Sequence, residues 1–282
     1  MSADTAPWRH YGRHVGLWII AIGLIFAAWK LLLVITGLPA YVIPTPGEAF
    51  NTILKNAGLM RGLAWQTITE TFYGYIIGAI IGILLAVIMA QIPLVHRLLY
   101  PALVTSQAVP IVAIAAPLVI IFGFGLTPKL IIVGWIVFFP VVVNVLDGLA
   151  SVDPDQINLA RLLGGTRLRT FVIVRLPACI GPLFSGLKIG ASYAVTGAVI
   201  GEWTASAHVG LGTYLLTANA QMNTAGVYGA MLLLTAIGIG SFILVVIVEH
   251  FATPWRTRMT APGYFGGKVP PASPSQPTHQ EV

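Results

Sequence analysis

The chain has 282 residues, of which 57% are hydrophobic and only 9% charged, whereas a soluble globular domain carries about 25% charged residues; lipid, not water, is its main solvent. Its 15 Lys and Arg against 9 Asp and Glu are scattered between apolar windows with no basic block and no interleaved aromatics, which sets nucleic-acid binding aside. The single cysteine, Cys179, excludes an intrachain disulfide framework and any multi-cysteine metal site.

The apolar windows are continuous instead of alternating, so they point to spanning helices, each needing roughly 20 residues, and not to a barrel. Residues 1–16 form a polar tail with Arg9 and Arg13, and a first span is expected at about 17–38, interrupted by Lys30. It is longer than a signal-peptide core and reads as uncleaved. From Pro39 to Glu70, with Pro44, Pro46, Lys55 and Arg61, a solvent-side connection with one short helix is expected. A second span, 71–90, carries Gly74, Gly78 and Gly82 at four-residue spacing, which lets a neighbouring helix approach closely.

Leu98 to Pro128 is uncharged and would be about 46 Å long as one straight helix, more than one crossing. Pro101, Pro110 and Pro117 break it, so an approach segment near 98–109 and a kinked span at 110–124 are expected. A fourth span at 130–146 contains Pro140 and Asn144; a fifth is expected at 187–205 and a sixth at 226–251. The proline-rich tail 259–282 reads as disordered. The fold class is therefore an all-α membrane protein of six transmembrane helices. Placing both termini in the cytoplasm puts Arg9, Arg13, Arg97, Arg161, Arg167, Arg169, Arg175, Arg256, Arg258 and Lys268 inside, against Lys55, Arg61 and Lys129 outside.

That orientation makes 147–186 a long cytoplasmic loop with internal order. Asp153 reads as an N-cap, with Pro154 at the first helical position and Gln156 at the third. The helix continues through Ile157 to Leu163, and Gly164-Gly165 ends it. Thr166 caps a second helix through Arg175, where Leu176-Pro177 is expected to stop it. Such an elbow has three uses open to it: lying on anionic lipid through Arg161, Arg167, Arg169 and Arg175, packing under the bundle as a structural loop, or docking in a groove of a soluble partner. No G-x-x-x-x-G-K-[ST] run occurs, so if ATP drives this chain, another subunit hydrolyses it.

The run Asn158-Leu159-Ala160-x3-Gly164-x9-Val174-x-Leu176-Pro177 resembles the EAA loop of bacterial ABC importer permeases, E-A-A-x3-G-x9-I-x-L-P. Ala160, Gly164, Leu176 and Pro177 match, Val174 is conservative, and Asn158 stands where the family has Glu. Further elements are similar to the nitrate, sulfonate and taurine branch: Pro44-Thr45-Pro46, Pro110, Pro117, Phe122-Gly123-x-Gly125, Lys129, Phe138-Phe139-Pro140, Asn144 and Val152-Asp153. Gly201-Glu202-Trp203, Gly210-Leu211-Gly212 and Asn219-Ala220 look most like members that import pyrimidine precursors of thiamine, or riboflavin.

The resemblance covers about 17–258 and implies a type I importer bundle in the bacterial inner membrane, with Asn158, Leu159, Ala160, Leu163, Gly164 and Thr166 contacting a separate ATPase that carries ATP and Mg. It also implies a solute-binding protein outside the cell, a second permease copy as homodimer partner, and no cofactor in the chain itself. The substrate would be a small organic nutrient: a pyrimidine vitamin precursor, or a sulfonate, taurine or nitrate.

Polar groups inside spans must face protein, water or an interface. Glu202 and Trp203, near the outer end of the fifth span, are candidates to receive substrate, and an interfacial residue with an aromatic-belt neighbour is the plainer alternative. Asn144 and Tyr193 are candidates to hydrogen-bond a passing solute, with helix-to-helix bonding equally open. Lys30 and Lys188 read as snorkelling or internally paired side chains, and Lys129 as an outer-face anchor. Pro110, Pro117 and Pro140 are candidate hinges. His96, His208 and His250 are dispersed, with no metal-ligand spacing. An ATP-independent secondary transporter or channel would need acidic groups in several spans, which are poor in them, and a membrane enzyme would need a catalytic constellation, which the chain lacks.

Overall fold

The computed structural model describes residues 8–37, 39, 41–205 and 209–254, with side chains from residue 20 onward, 21 and 22 excepted. The tail expected at 259–282, His208, and the counted cations Arg256, Arg258 and Lys268 lie outside the described residues, as do the side chains of Arg9 and Arg13.

Every described element is a helix: α1 (Trp8–Thr36), α2 (Pro46–Lys55), α3 (Ala57–Gln91), α4 (Pro93–Ser106), α5 (Ile111–Phe122), α6 (Leu126–Ala150), α7 (Pro154–Leu162), α8 (Arg167–Thr170), α9 (Leu176–Thr204), α10 (Leu211–Ala220) and α11 (Thr224–Ala252), with a π-helical turn at Phe171–Arg175 joining α8 to α9. Among the described residues, four helical segments are long and apolar enough to cross a bilayer: Ala57–Gln91, Leu126–Ala150, Arg167–Thr204 and Thr224–Ala252. A fifth crossing is available if α4 and α5, bent by 101° at their junction, act as one broken span. The first expected span falls in α1, whose described apolar stretch Gly23–Thr36 is shorter than one crossing.

Local chemistry sets the helix ends. Thr45 and Glu48 form a reciprocal capping box before α2, the Thr45 N–H donating to Glu48 Oε2 at 2.8 Å and the Glu48 N–H to Thr45 Oγ1 at 3.3 Å, with Pro46 at the first position. The solvent-side connection expected up to Glu70 ends much earlier, because α3 begins at Ala57. No proline interrupts the chain from there to Gln91, and Met60, Leu63, Thr67, Glu70, Gly74 and Gly78 recur at helical spacing on its buried face.

The core is the α3/α6/α9 triple, where small residues let backbones touch. A Cβ on Gly78 would stand 2.4 Å from the Gly134 carbonyl oxygen, and one on Gly74 would stand 2.4 Å from Val133 Cβ. Val133, Val137 and Val141 of α6 are fully buried in the resulting seam. Gly190, Gly197 and Gly201 of α9 close on α6 in the same way. α11 packs on α9 and α10. α1 is peripheral, reaching α2 and setting the Trp29 ring, tilted, 5.3 Å from that of Tyr228.

Candidate functional site

At one end of the bundle the loop between α6 and α9 folds into a pinned elbow. The Asp153 carboxylate caps α7 by accepting from the Asp155 N–H at 2.9 Å. Gly164 then takes φ +82°, a left-handed conformation that favours glycine. The Gly165 N–H donates to the Ala160 carbonyl at 2.9 Å, and a Cβ on Gly165 would lie 2.6 Å from that same oxygen. The two glycines therefore have different duties: Gly165 must be small for the turn to close, whereas a Cβ on Gly164 meets open space. Thr166 caps α8 through the Arg169 N–H.

The elbow is anchored from below and open on its far side. Val152, Ile157 and Phe171 are buried beneath it, and the Arg167 guanidinium donates to the Gln91 carbonyl at the end of α3. Asn158, Leu159, Leu163, Gly164 and Thr166 face solvent, and Ala160 is half-buried behind them. The six residues singled out from the sequence thus share one turn. Sequence reasoning missed Leu162 and Leu168, which are 85% and 71% exposed beside Leu163 at 81%. Their apolar side chains on a capped, polar elbow were the available signal.

Leu176-Pro177 does not stop the helix. The Leu176 N–H reaches back to the Phe171 carbonyl, five residues earlier, and the widened π turn accommodates a proline that would collide with its i−4 carbonyl in a regular α-helix. The elbow's second arm consequently runs as one helical segment, Arg167–Thr204, to the opposite end of the bundle.

Between that helix, α6 and the break at Gln107–Pro110 lies a cavity of about 540 Å³, lined among others by Gln107, Pro110, Trp135, Phe139, Asn144 and Tyr193. Asn144 and Tyr193 are thus brought together. The Asn144 amide nitrogen donates to the Pro140 carbonyl at 2.8 Å.

Glu202 and Trp203 sit elsewhere, at the end of the bundle opposite the elbow. Glu202 is fully buried, accepting from Thr67 Oγ1 at 2.6 Å and from the Thr213 N–H at 3.0 Å, while Thr67 Oγ1 also accepts from the Leu211 N–H at 3.0 Å. A carboxylate at the start of α10 complements the helix dipole. Trp203 Nε1 donates to the Gly212 carbonyl at 3.0 Å, tying down the same first turn of α10.

The neighbouring Lys129, expected as an outer-face anchor, is fully buried and paired with Glu70 at 2.7 Å, with Gln66 Nε2 adding a bond to Glu70 Oε1 at 2.8 Å. The reason is its place in the first turn of α6, where Gly201 of α9 packs against its Cα, so the side chain turns into the helix junction. Lys188 is internally paired, 2.9 Å from Glu249 of α11.

The family described as the binding-protein-dependent transport system inner membrane component matches residues 78–254, more than half of the chain and inclusive of the elbow. The chain belongs to this family. Among its relatives, the riboflavin transport system permease protein RibX of Chloroflexus aurantiacus is 32% identical over 90% of this chain and 94% of that protein. The formylaminopyrimidine transport permease protein ThiX of Halalkalibacterium halodurans is 29% identical over 83% and 94%. The taurine transport system permease protein TauC of Escherichia coli is 25% identical over 91% and 96%. In fold, the permease is similar to a solved amino acid ABC transporter chain, with a TM-score of 0.56 at 18% identity, covering 73% of this chain and 98% of that one. The elbow and the α3/α6/α9 core are therefore parts of an ABC transporter permease.

Proposed function

We propose that the permease is the translocation subunit of an importer that moves a small organic nutrient into the cell, driven by a separate ATPase. The observation that carries this reading is the elbow: capped, pinned to α3 and α9 from below, and presenting Leu159, Leu162, Leu163 and Leu168 outward. An interfacial lipid helix would keep its basic side chains free, yet Arg167 is spent on holding the elbow to Gln91.

In the orientation that keeps the arginines inside, the elbow faces the cytoplasm and the Glu70, Lys129 and Glu202 cluster faces outward. Asn158 removes the carboxylate the family has at that position, so shape and apolar contact carry the docking. ATP and Mg reside on the ATPase, and closure of the ATPase pair displaces the elbow. Because Arg167–Thr204 is one helical segment, that displacement reaches the outer cluster along α9. Two copies of the permease enclose the path, and a solute-binding protein delivers substrate to its outer end. The relatives named for riboflavin, formylaminopyrimidine and taurine support a small nutrient as cargo.

The test is Gly164→Trp. Its Cβ meets no atom of the chain within 4 Å, so the added bulk projects into the partner's cleft, and the left-handed strain costs only about 1–2 kcal/mol. Normal membrane levels with uptake of the labelled nutrient reduced at least tenfold are expected. Undiminished uptake would refute the coupling role.

A further inference from the structure

We propose that the cavity beside the α4–α5 break selects an uncharged, planar heterocyclic solute, with Gln107, Asn144 and Tyr193 as specificity-determining residues. The inference rests on the importer reading above and names the substrate class of its path.

The first ground is the chemistry of the walls. Three elements each contribute one neutral polar side chain: Gln107 from the break, Asn144 from α6 and Tyr193 from α9. Trp135 and Phe139, four residues apart on α6, add rings from the same face. One N–H of the Asn144 amide is taken by the Pro140 carbonyl, which leaves its second N–H and its acceptor oxygen. Gln107 and Tyr193 each offer a donor and an acceptor. Amides and a phenol set around aromatic rings match a flat ring system that carries hydrogen-bonding atoms on its edge.

The second ground is the disposition of charge. Among the described residues that line this cavity, none is acidic or basic. Of the charged residues described on the two helices that wall it, Lys129 pairs with Glu70, Lys188 with Glu249, and Glu202 is held by Thr67 and the Thr213 N–H. Asp147, three residues beyond Asn144, lines a different pocket with His96 and Arg175. A sulfonate or nitrate entering here would exchange hydration for neutral dipoles without a countercharge, a transfer that costs several kcal/mol, whereas a neutral heterocycle exchanges water for equivalent hydrogen bonds.

The third ground is size and backbone. A cavity of about 540 Å³ lies in the range of about 300–1,000 Å³ that holds small organic molecules. It opens where a span is broken, which is where transporters place solute among backbone groups released from intrahelical bonding. A second described cavity of about 540 Å³, between α3, α9 and α11, carries no amide: its Thr71, Tyr75 and Ser241 hydroxyls spend their protons on carbonyls of the bundle and keep only acceptor capacity.

Uptake by energised right-side-out vesicles, from cells making the permease with its ATPase and binding protein, tests this. The probes are radiolabelled riboflavin, 4-amino-5-hydroxymethyl-2-methylpyrimidine and methanesulfonate. Saturable uptake of at least one heterocycle is expected, with methanesulfonate excluded. Gln107→Leu and Asn144→Leu should each raise the heterocycle KM about fivefold or more, the loss of roughly one hydrogen bond, at unchanged membrane level. Asn144→Gln, which keeps the amide, should restore most of it.

Gln107 lies in the break between helices, so its variant remains informative even if Asn144→Leu folds poorly. Comparable uptake of methanesulfonate, uptake of neither heterocycle, or heterocycle kinetics indifferent to both leucine variants would overturn the proposal. Failure of the importer reading looks different: uptake of every probe would persist without ATP and in Gly164→Trp.

Discussion

The buried charges show best how single residues depend on the fold around them. Lys129 and Glu70 are fully buried at 2.7 Å, 59 positions apart in the chain. Lys129→Met leaves an uncompensated carboxylate in the helix junction and should destabilise the permease by about 3–5 kcal/mol, read as a lowered unfolding midpoint in detergent. Adding Glu70→Leu removes the orphaned charge, so the double variant should recover most of that loss. A double variant as unstable as Lys129→Met would contradict the pairing as the cause. Thr67→Val should weaken the opposite flank, because that one hydroxyl joins Glu202 to the start of α10; faster proteolysis at 209–213 is the expected readout.

This cluster was only partly legible in the sequence. Glu202 beside Trp203 stood out as a rare acid in an apolar window. Glu70 did not, because with Lys55 and Arg61 it gave the segment a soluble composition, and its partner is identified only when α3 and α6 are laid together. The stripe Met60, Leu63, Thr67, Glu70, Gly74 and Gly78 was the overlooked signal: a charged residue in register with a glycine seam belongs to that seam.

At the scale of elements, glycine placement separates structure from coupling. Gly78→Val should push α3 from α6, because even its Cβ would stand 2.4 Å from the Gly134 carbonyl oxygen. Overpacking of this kind costs about 1–3 kcal/mol or more, and a loss of folded protein on size-exclusion chromatography is the expected outcome. Gly165→Ala should deform the elbow, since its Cβ meets the Ala160 carbonyl oxygen at 2.6 Å. Gly164→Ala is strained at φ +82° but meets no clash, so it should lose less protection than Gly165→Ala. Hydrogen exchange of the Gly165 amide separates the two; equal protection in both variants would contradict the division of roles.

The seam glycines, the α7 cap and the glycine turn were readable because each depends on residues a few positions apart. The continuation through Leu176-Pro177 was not, because a π turn trades one hydrogen-bond register for another and no local residue type announces it. α10 was missed for a related reason: its first turn is capped by Glu202 and Thr67, side chains from other helices.

For the whole molecule, the same chain of causes runs from composition to transport. An apolar chain with glycine seams folds its long helices into a tight triple, the triple holds an elbow at one end and a buried charge cluster at the other, and a helical segment joins them. Hydrophobicity alone led to a spanning bundle, and the elbow's spacing led to the family. The count of crossings was less legible, because a helix pair bent by 101° counts as one broken span or as none depending on its surroundings.

The coupling claim can be tested directly because Cys179 is the only cysteine and is buried. A cysteine introduced as Leu163→Cys, at a side chain 81% exposed on the elbow, offers a single accessible thiol for a short photo-crosslinker in native membranes. A one-to-one adduct with an ATP-hydrolysing subunit is expected, changing in yield when ATP is added and absent from an equivalent cysteine at Trp203. An elbow thiol that labels only lipid or a second permease copy, under conditions where uptake is active, would contradict it.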